Sequence, residues 1–241
     1  MRIDQEKCVG CERCVSYCPV GAIHVRKDGG KTKKRSWIDE DECVECGVCL
    51  RANVCKPEAI YLPELGWPRI VRRAFSDPMV EHKETGVPGR GTEEMKTNEV
   101  TGRFKRGSWG MAVEVGRPGV GARLKDLETI AMALAEKGIL FEPKNPVMFL
   151  FEDPKTGKLK PELREEKVLS AIIEFVVKPH QLKDVFEVLR KASERVETVF
   201  SVDLISFPDE KEFALGVARE MGFPVYPNGK VNLGLGRVLN R

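Results

Sequence analysis

The stretch CVGCERCVSYCP, residues 8–19, and its partner CVECGVCLRANVCKP, residues 43–57, decide the fold. Each has three cysteines at C-x2-C-x2-C spacing and a fourth cysteine shortly before a proline. Together they contain all eight cysteines of the 241-residue chain. The first run holds Cys8, Cys11, Cys14 and Cys18, and the second holds Cys43, Cys46, Cys49 and Cys55.

This spacing is typical of a loop that delivers three thiolates to one 4Fe-4S cluster and a fourth thiolate to a neighbouring cluster. The loop wraps three corners of the cube with its amides turned towards the sulfurs, whereas the fourth cysteine points away. Two such runs can therefore exchange their fourth ligands. On this rule the first cluster is held by Cys8, Cys11, Cys14 and Cys55, and the second by Cys43, Cys46, Cys49 and Cys18.

Two other uses of cysteine compete with the clusters. A disulfide framework needs an oxidising compartment, and residues 1–7 lack the apolar core of a secretion signal, so the sequence predicts a cytoplasmic protein. Paired C-x2-C units also form zinc sites, but a four-coordinate zinc ion gives no reason for the third cysteine of each run. The spacing therefore favours iron–sulfur clusters.

The two runs belong to an internal repeat. Residues 3–15, IDQEKCVGCERCV, align with residues 38–50, IDEDECVECGVCL, and Ala22-Ile23 recurs as Ala59-Ile60. Each half is expected to supply one cluster loop, one short helix and flanking strand residues.

Residues 1–63 resemble the bacterial-type two-cluster 4Fe-4S ferredoxins. The resemblance rests on CVGCERCVSYCPVGAI, residues 8–23, which matches the pattern of that family throughout. The second run departs from the pattern, because five residues rather than three separate Cys49 from Cys55, and Lys56 precedes Pro57. The longer gap makes Cys55 the ligand to check, and it leaves open an altered potential at the cluster that Cys55 serves.

The remainder of the chain needs a fold of its own, because the ferredoxin domain, residues 1–65, takes only about a quarter of it. Residues 66–108 form an irregular segment rich in turn residues, and regular structure resumes at 109–241. The formal charge of +3 lies entirely in the middle segment. Its basic strip is predicted to contact the anionic cluster domain or a partner, or to be a solvated linker. The strip consists of Arg69, Arg72, Arg73, Arg103, Lys105 and Arg106.

Composition argues against two classes of partner. The chain has no general basic excess and no nucleic-acid-binding motif, so nucleic-acid binding is not predicted. No apolar run approaches the roughly 18 residues that suggest a membrane span.

Residues 109–241 predict the order strand, helix, strand, strand, helix, strand, which is the split βαβ or ferredoxin-like sandwich. Here the fold name implies no cluster. The fold class is therefore α+β, with a two-cluster ferredoxin domain followed by a βαββαβ sandwich, an extra helix and a C-terminal arm. The predicted strands are 110–115, 147–152, 168–178 and 198–207, the helices are 124–135, 182–196 and 209–221, and the arm is 225–241.

This element order also resembles the regulatory βαββαβ modules of the ACT type, although no ligand motif of that family is present. In such modules the loop after the first strand, here residues 116–121, can hold a small ligand. The alternative is a tight glycine-proline turn that brings strand and helix close together.

No catalytic constellation accompanies the cysteines. The three histidines lie at no spacing to a nucleophile or a carboxylate that indicates catalysis. The sequence therefore predicts electron transfer by a ferredoxin-like subunit of a larger anaerobic oxidoreductase, with a catalytic subunit or a redox protein as its partner. Two alternatives stay open: a redox-responsive regulatory or ligand-binding protein that uses the ACT-like domain, with self-association through it, and an enzyme whose active site is shared with another chain.

Overall fold

The computed structural model describes residues 1–27, 34–82, 104–116 and 119–226. Most of the predicted arm, at 227–241, and Arg103 of the basic strip lie outside the described residues. Among the helices that are described, none is long and apolar enough to cross a membrane.

The N-terminal unit is built from two short antiparallel strand pairs. Strand β1 (Arg2–Ile3) pairs with β4 (Ile60–Tyr61), and β2 (Ile23–Lys27) pairs with β3 (Lys34–Ile38). A 3-10 helix at Val15–Tyr17 follows the first cysteine loop, and helix α1 (Val48–Arg51) carries the end of the second. The buried apolar cluster of this unit consists of Met1, Cys14, Ala22, Ile23, Ile38, Cys43, Cys49 and Ile60.

The internal repeat of the sequence returns as a repeat of hydrogen bonds. The amide of Asp4 donates to the carbonyl of Ala59, and the amide of Asp39 donates to that of Ala22, both at 2.8 Å. Each aspartate carbonyl then accepts from the first cysteine of its loop, Cys8 at 3.0 Å and Cys43 at 2.9 Å. In each half of the repeat, the residue that precedes the cysteine loop is therefore hydrogen-bonded to the other half.

Helix α2 (Ile70–Ser76) lies inside the segment for which the sequence predicts irregular structure. Its apolar side chains Val71 and Phe75 are 2% and 1% exposed and belong to the C-terminal core. The hydroxyl of Ser76 accepts from the amide of Leu169 at 2.8 Å. Helix α2 is thus packed against the C-terminal part of the chain.

The C-terminal part centres on an antiparallel sheet in which β5 (Trp109–Val115) lies between β10 (Ala171–Val177) and β11 (Phe200–Ile205). Val113 of the central strand faces Ile173 on one side and Val202 on the other. The inner face of this sheet packs on three helices, which bury Leu127 and Ile130 among others. The strands are β5 (Trp109–Val115), β6 (Ala122–Arg123), β7 (Phe151–Asp153), β8 (Lys158–Leu159), β9 (Lys167–Val168), β10 (Ala171–Val177) and β11 (Phe200–Ile205), and the helices are α3 (Leu124–Ala135), α4 (Leu182–Ser193) and α5 (Lys211–Glu220).

The structure differs from the predicted four-stranded sandwich at its second strand. The apolar run predicted as a strand at 147–152 forms mostly a 3-10 helix, Pro146–Leu150, and only its end enters β7, which pairs with β8 outside the main sheet. Asn145 caps this helix by accepting from the amide of Val147 at 2.9 Å, and proline occupies its first turn. At the edge of β10, Phe141 makes a single antiparallel bridge to Phe175. The described sheet therefore has three strands.

The loop after β5 is a tight turn where it is described. The amide of Gly121 donates to the carbonyl of Gly116 at 2.9 Å. Gly116 has φ +95°, and a Cβ at this position would lie 2.8 Å from the carbonyl oxygen of Leu169. The close approach of two backbones requires glycine here. Residues 117–118 of the loop lie outside the described residues.

Candidate functional site

Four of the predicted ligands line one cavity, which we call the first cavity. They are Cys8, Cys11 and Cys14 of the first run and Cys55 of the second. The other lining residues are Ile3, Val9, Arg13, Ser36, Val54, Pro57, Ala59 and Ile60.

The other four predicted ligands line a second cavity. Here Cys43, Cys46 and Cys49 of the second run meet Cys18 of the first. The remaining lining residues are Met1, Pro19, Val20, Ala22, Ile23, Ile38 and Val44. Each cavity thus combines three cysteines of one run with the fourth cysteine of the other.

Helix α1 and two left-handed residues bring Cys55 to the first cavity in spite of the longer gap. Cys49 lies in α1, and Asn53, just beyond the helix, has φ +50° while its amide donates to Leu50 at 3.1 Å. Glu58 has φ +51° and its amide donates to the carbonyl of Cys55 at 2.9 Å. The extra residues form a helical turn that reverses at Asn53.

Both cysteine loops have left-handed backbone at the same two positions of the repeat. Glycine occupies the first of these positions in the first loop and the second position in the second loop. Gly10 (φ +69°) corresponds in the repeat to Glu45 (φ +58°), and Glu12 (φ +63°) corresponds to Gly47 (φ +70°). A Cβ on Gly10 would lie 2.1 Å from the carbonyl oxygen of Lys34. The first loop (residues 8–14) is therefore pressed against β3 at Gly10.

Backbone amides point at the cysteine sulfurs. The amide of Ala22 donates to Sγ of Cys18 at 3.1 Å, and the equivalent amide of Ala59 donates to Sγ of Cys55 at 3.3 Å. The amide of Ser36 reaches Sγ of Cys8 at 3.5 Å. Amide donors of this kind stabilise thiolates and tune the clusters that thiolates hold.

Burial disfavours charge on several of these thiols. It raises the pKa of Cys14 and of Cys46, and it raises the pKa of Cys49 to about 12. Cysteine binds a metal as the thiolate, so a group bound here must displace these protons and supply positive charge.

The donor set fits a cubane cluster. All eight cysteines are free of disulfides. In the part of the chain that the structure describes, no three His, Cys, Asp or Glu side chains are grouped so as to hold one metal ion. A cubane takes each thiolate at a different iron, so its ligands surround a cavity instead of meeting at one point. The two cavities have this arrangement, with amides directed at three of the sulfurs.

The second loop (residues 43–49) is covered by arginines. Nη1 of Arg72 donates to the carbonyl of Cys43 at 3.0 Å, and Nη2 of Arg51 donates to the carbonyl of Cys46 at 2.7 Å. Nε of Arg69 donates to the carboxylate of Glu45 at 2.8 Å. Two residues of the predicted basic strip, Arg69 and Arg72, therefore lie against the cysteine unit. Of the others, Arg73 pairs with Asp77 and Arg106 with Asp209.

The two cavities differ in their exposure. Cys43, Cys46 and Cys49 of the second cavity are buried, whereas Cys11 of the first cavity is exposed beside Val9, which is 65% exposed. The cysteines are evident in the sequence, but this difference in exposure has no local signal there, because Arg72 lies far along the chain from the loop that it covers.

Comparison with known proteins finds relatives of the N-terminal unit. The 4Fe-4S binding domain family matches residues 1–24. An uncharacterized ferredoxin of Methanocaldococcus jannaschii is 37% identical over 60 residues, which are 25% of this chain and 73% of that protein. The chain belongs, through its N-terminal unit, to the 4Fe-4S ferredoxin family. The predicted resemblance to ferredoxins is thereby confirmed.

Two further relatives match the same ferredoxin unit. The pyruvate synthase subunit PorD of Methanocaldococcus jannaschii is 41% identical over 58 residues, which are 24% of this chain and 59% of that subunit. An uncharacterized protein from the rpl9-rpl11 intergenic region of Porphyra purpurea is 37% identical over 59 residues, which are 24% of this chain and 75% of that protein. No solved structure gives a significant match. The ferredoxin relationship thus covers about a quarter of the chain.

Proposed function

We propose that this protein transfers electrons through two 4Fe-4S clusters, as a ferredoxin-like subunit of a larger oxidoreductase complex of anaerobic metabolism. The observation that carries the proposal is the pair of cavities, each with four cysteines drawn from both runs. A ferredoxin unit with two such cavities side by side has the layout in which an electron enters at one cluster and leaves from the other.

The proposed ligands follow from the cavity linings. Cys8, Cys11, Cys14 and Cys55 hold the first cluster, and Cys43, Cys46, Cys49 and Cys18 hold the second. The amides of Ala22 and Ala59 support the two exchanged ligands, since each donates to the sulfur of Cys18 or Cys55.

When bound, each cluster supplies one-electron redox chemistry, and the chain supplies the ligands and the surroundings of the cluster. Apolar residues such as Ile23 and Ile60 exclude water from the cavities. Amides directed at the sulfurs favour the thiolate form, and the covering arginines place positive charge beside the second loop. With no catalytic constellation in the sequence, we propose that the reaction of the complex takes place on another subunit.

We propose the first cavity as the end that faces the redox partner. Cys11 is exposed there, whereas helix α2 and its arginines cover the second loop. One relative of the ferredoxin unit is a subunit of pyruvate synthase, which is a precedent for such a unit within an oxidoreductase. Residues 66–108 and the C-terminal unit, residues 109–241, are proposed to attach the cluster unit to that assembly. We place the protein in the reducing cytoplasm, since thiolate ligands need reduced cysteines.

Anaerobic purification from the native source tests this proposal. We expect about eight irons per chain, two interacting paramagnetic signals after full reduction, and a second protein that elutes with the chain. A chain that binds about four irons would refute the two-cluster assignment. A two-cluster protein of monomer mass would refute the subunit role, and a homo-oligomer without a second protein would favour self-association through residues 109–241.

A further inference from the structure

The charges around the two cysteine loops are not symmetric, although the loops repeat each other in backbone geometry. Arginine guanidinium groups donate to the carbonyls of Cys43 and Cys46 in the second loop. Within the described residues, no arginine or lysine side chain makes the same contact with the carbonyls of Cys8, Cys11 or Cys14. The asymmetry thus arises from residues outside the repeat or at its edge.

Arg72 is the most enclosed of these arginines, with 4% of its side chain exposed. Its Nη1 atom lies 3.1 Å from the carbonyl of Glu40, 2.6 Å from that of Asp41 and 3.0 Å from that of Cys43. One guanidinium therefore holds the whole turn that leads into the second loop, and its charge lies one peptide group from a proposed cluster ligand.

The C-terminal unit fixes Arg72 in this place. Nε of Arg72 donates to the carboxylate of Glu166, which precedes β9. The neighbouring Val71 is 2% exposed and packs in the C-terminal core. The guanidinium therefore links the C-terminal unit to the carbonyl of Cys43.

Carboxylates near this loop oppose the arginine charges, but each has a cation of its own. Glu45 pairs with Arg69, and Asp77 pairs with Arg51. On the outer side of the turn, Asp41 pairs with Arg123 and Glu42 with Lys167. Glu166 offsets Arg72 itself and accepts from Nε, whereas the carbonyl of Cys43 accepts from Nη1. The carbonyl of Cys43 therefore faces a positive charge at hydrogen-bond distance.

One-electron reduction adds a negative charge to an iron–sulfur site and transfers no proton of its own. A cation at fixed distance in a poorly solvated region stabilises the reduced state more than the oxidised one. We infer that Arg72 raises the reduction potential of the second cavity's cluster above that of the first, so that a protein holding one electron keeps it at the second cavity. This inference rests on the proposed function, because it needs a cluster at each cavity.

Redox titration of the full chain, reconstituted anaerobically and reduced stepwise with dithionite in the presence of mediators, tests this inference. Three variants are compared with the wild type: Arg72→Gln, which removes the charge, Glu166→Gln, which removes the charge that offsets it, and Arg164→Gln. Arg164 is the control, because its side chain is 54% exposed and pairs with Glu128. Iron is counted in every sample before titration.

The wild type is expected to take up two electrons in separate steps. Arg72→Gln should lower the higher of the two reduction potentials and leave the lower one unchanged. The shift should correspond to at least a tenfold change in the reduced-to-oxidised ratio, which is about 59 mV for one electron. Glu166→Gln should raise the higher potential, and Arg164→Gln should move neither.

Four results would overturn the inference. One is an Arg72→Gln protein with full iron content and both steps unchanged. Another is a downward shift in both Arg72→Gln and Glu166→Gln, because loosening of the structure, unlike charge, moves the two variants in the same direction. If Arg72→Gln does not retain iron, the Glu166→Gln protein alone tests the inference. A higher reduction potential that is unchanged or lowered in Glu166→Gln then refutes it. A wild type with about four irons refutes the two-cluster function itself and removes this inference with it.

Discussion

Cys55 lines the same cavity as Cys11, although its distance from Cys49 departs from the usual ferredoxin spacing. The longer gap is absorbed locally, since helix α1 ends in a turn that reverses at the left-handed residue Asn53. The exchange of fourth cysteines between the two runs therefore does not depend on equal gaps. Cys18 and Cys55 have in common that each precedes a turn whose amide donates to the cysteine sulfur.

Replacing Cys55 by alanine tests this geometry. Cys55→Ala removes one of the four thiolates at the first cavity, so the iron content should fall from about eight to about four per chain. Iron analysis with electron paramagnetic resonance checks this, and the matched control is Val54→Ala, which changes the same cavity wall without removing a thiolate. A Cys55→Ala protein with full iron content would show that the first cluster does not use Cys55.

Substitution by alanine should destabilise the protein more at Gly10 than at Gly21. Both have left-handed φ, +69° and +68°, so alanine at either costs about 1–2 kcal/mol of strain. A Cβ on Gly10 would also lie 2.1 Å from the carbonyl of Lys34, whereas a Cβ on Gly21 meets nothing within 4 Å. Gly10→Ala should therefore displace the first loop from β3.

The measurement is the iron bound after reconstitution together with the thermal unfolding midpoint. We expect Gly21→Ala to keep its iron and lose a few degrees, at about 2–4 °C per kcal/mol for a chain of this size. Gly10→Ala should lose more stability and bind less iron. Equal behaviour of the two variants would mean that β3 gives way at Lys34 without cost.

The cysteine loops could be predicted from the sequence because their geometry is local. The repeat of Asp4 and Asp39, each followed by a C-x2-C-x2-C run, is matched by repeated hydrogen bonds. The left-handed positions Glu12 and Glu45 were not predictable in the same way, since glutamate carries no preference for positive φ. These positions can be recognised only when the two runs are aligned, because each glutamate then lies opposite a glycine of the other run.

Two other features escaped prediction for different reasons. The strand predicted at 147–152 is wrong for most of its length, because Asn145 caps a 3-10 helix whose first turn contains Pro146, and this local signal outweighs the apolar run. The place of Arg72 had no local signal at all. Its partners are brought to it by tertiary packing, and the sequence predicts only a basic strip.

Phe75 should report how strongly helix α2 is anchored in the C-terminal core. Its side chain is 1% exposed, so Phe75→Ala is expected to lower the free energy of unfolding by about 3–5 kcal/mol. Ile70 lies on the same helix and is 42% exposed, so Ile70→Ala should cost less than about 1 kcal/mol. Denaturant unfolding followed by tryptophan fluorescence measures both, and similar losses would contradict the packing of α2 through Phe75.

The ion pair of Asp41 with Arg123 predicts a pH dependence of the contact between the cysteine unit and the C-terminal unit. The hydrogen bond from Arg123 lowers the pKa of Asp41 below its ordinary value of 3.8. Since the folded-state pKa is the lower one, the stabilisation is complete above pH 3.8 and is lost as the pH falls through the folded-state pKa. Because Asp41 is 68% exposed, the effect should stay below about 1 kcal/mol.

Asp41→Asn isolates this contribution. The variant should be less stable than the wild type at pH 6, by an amount that shrinks at high salt. The difference should begin to shrink as the pH falls below 3.8 and should disappear below the folded-state pKa of Asp41. Denaturant unfolding at pH 6 and in acid measures it, with Glu187→Gln as control, because Glu187 pairs with Lys191 inside one helix. Both variants lose one exposed ion pair, but only Asp41→Asn should increase proteolytic cleavage between the two units. An Asp41→Asn protein as stable as the wild type at pH 6 and equally resistant to protease would mean that other ion pairs hold the two units together, such as Arg72 with Glu166 and Glu42 with Lys167.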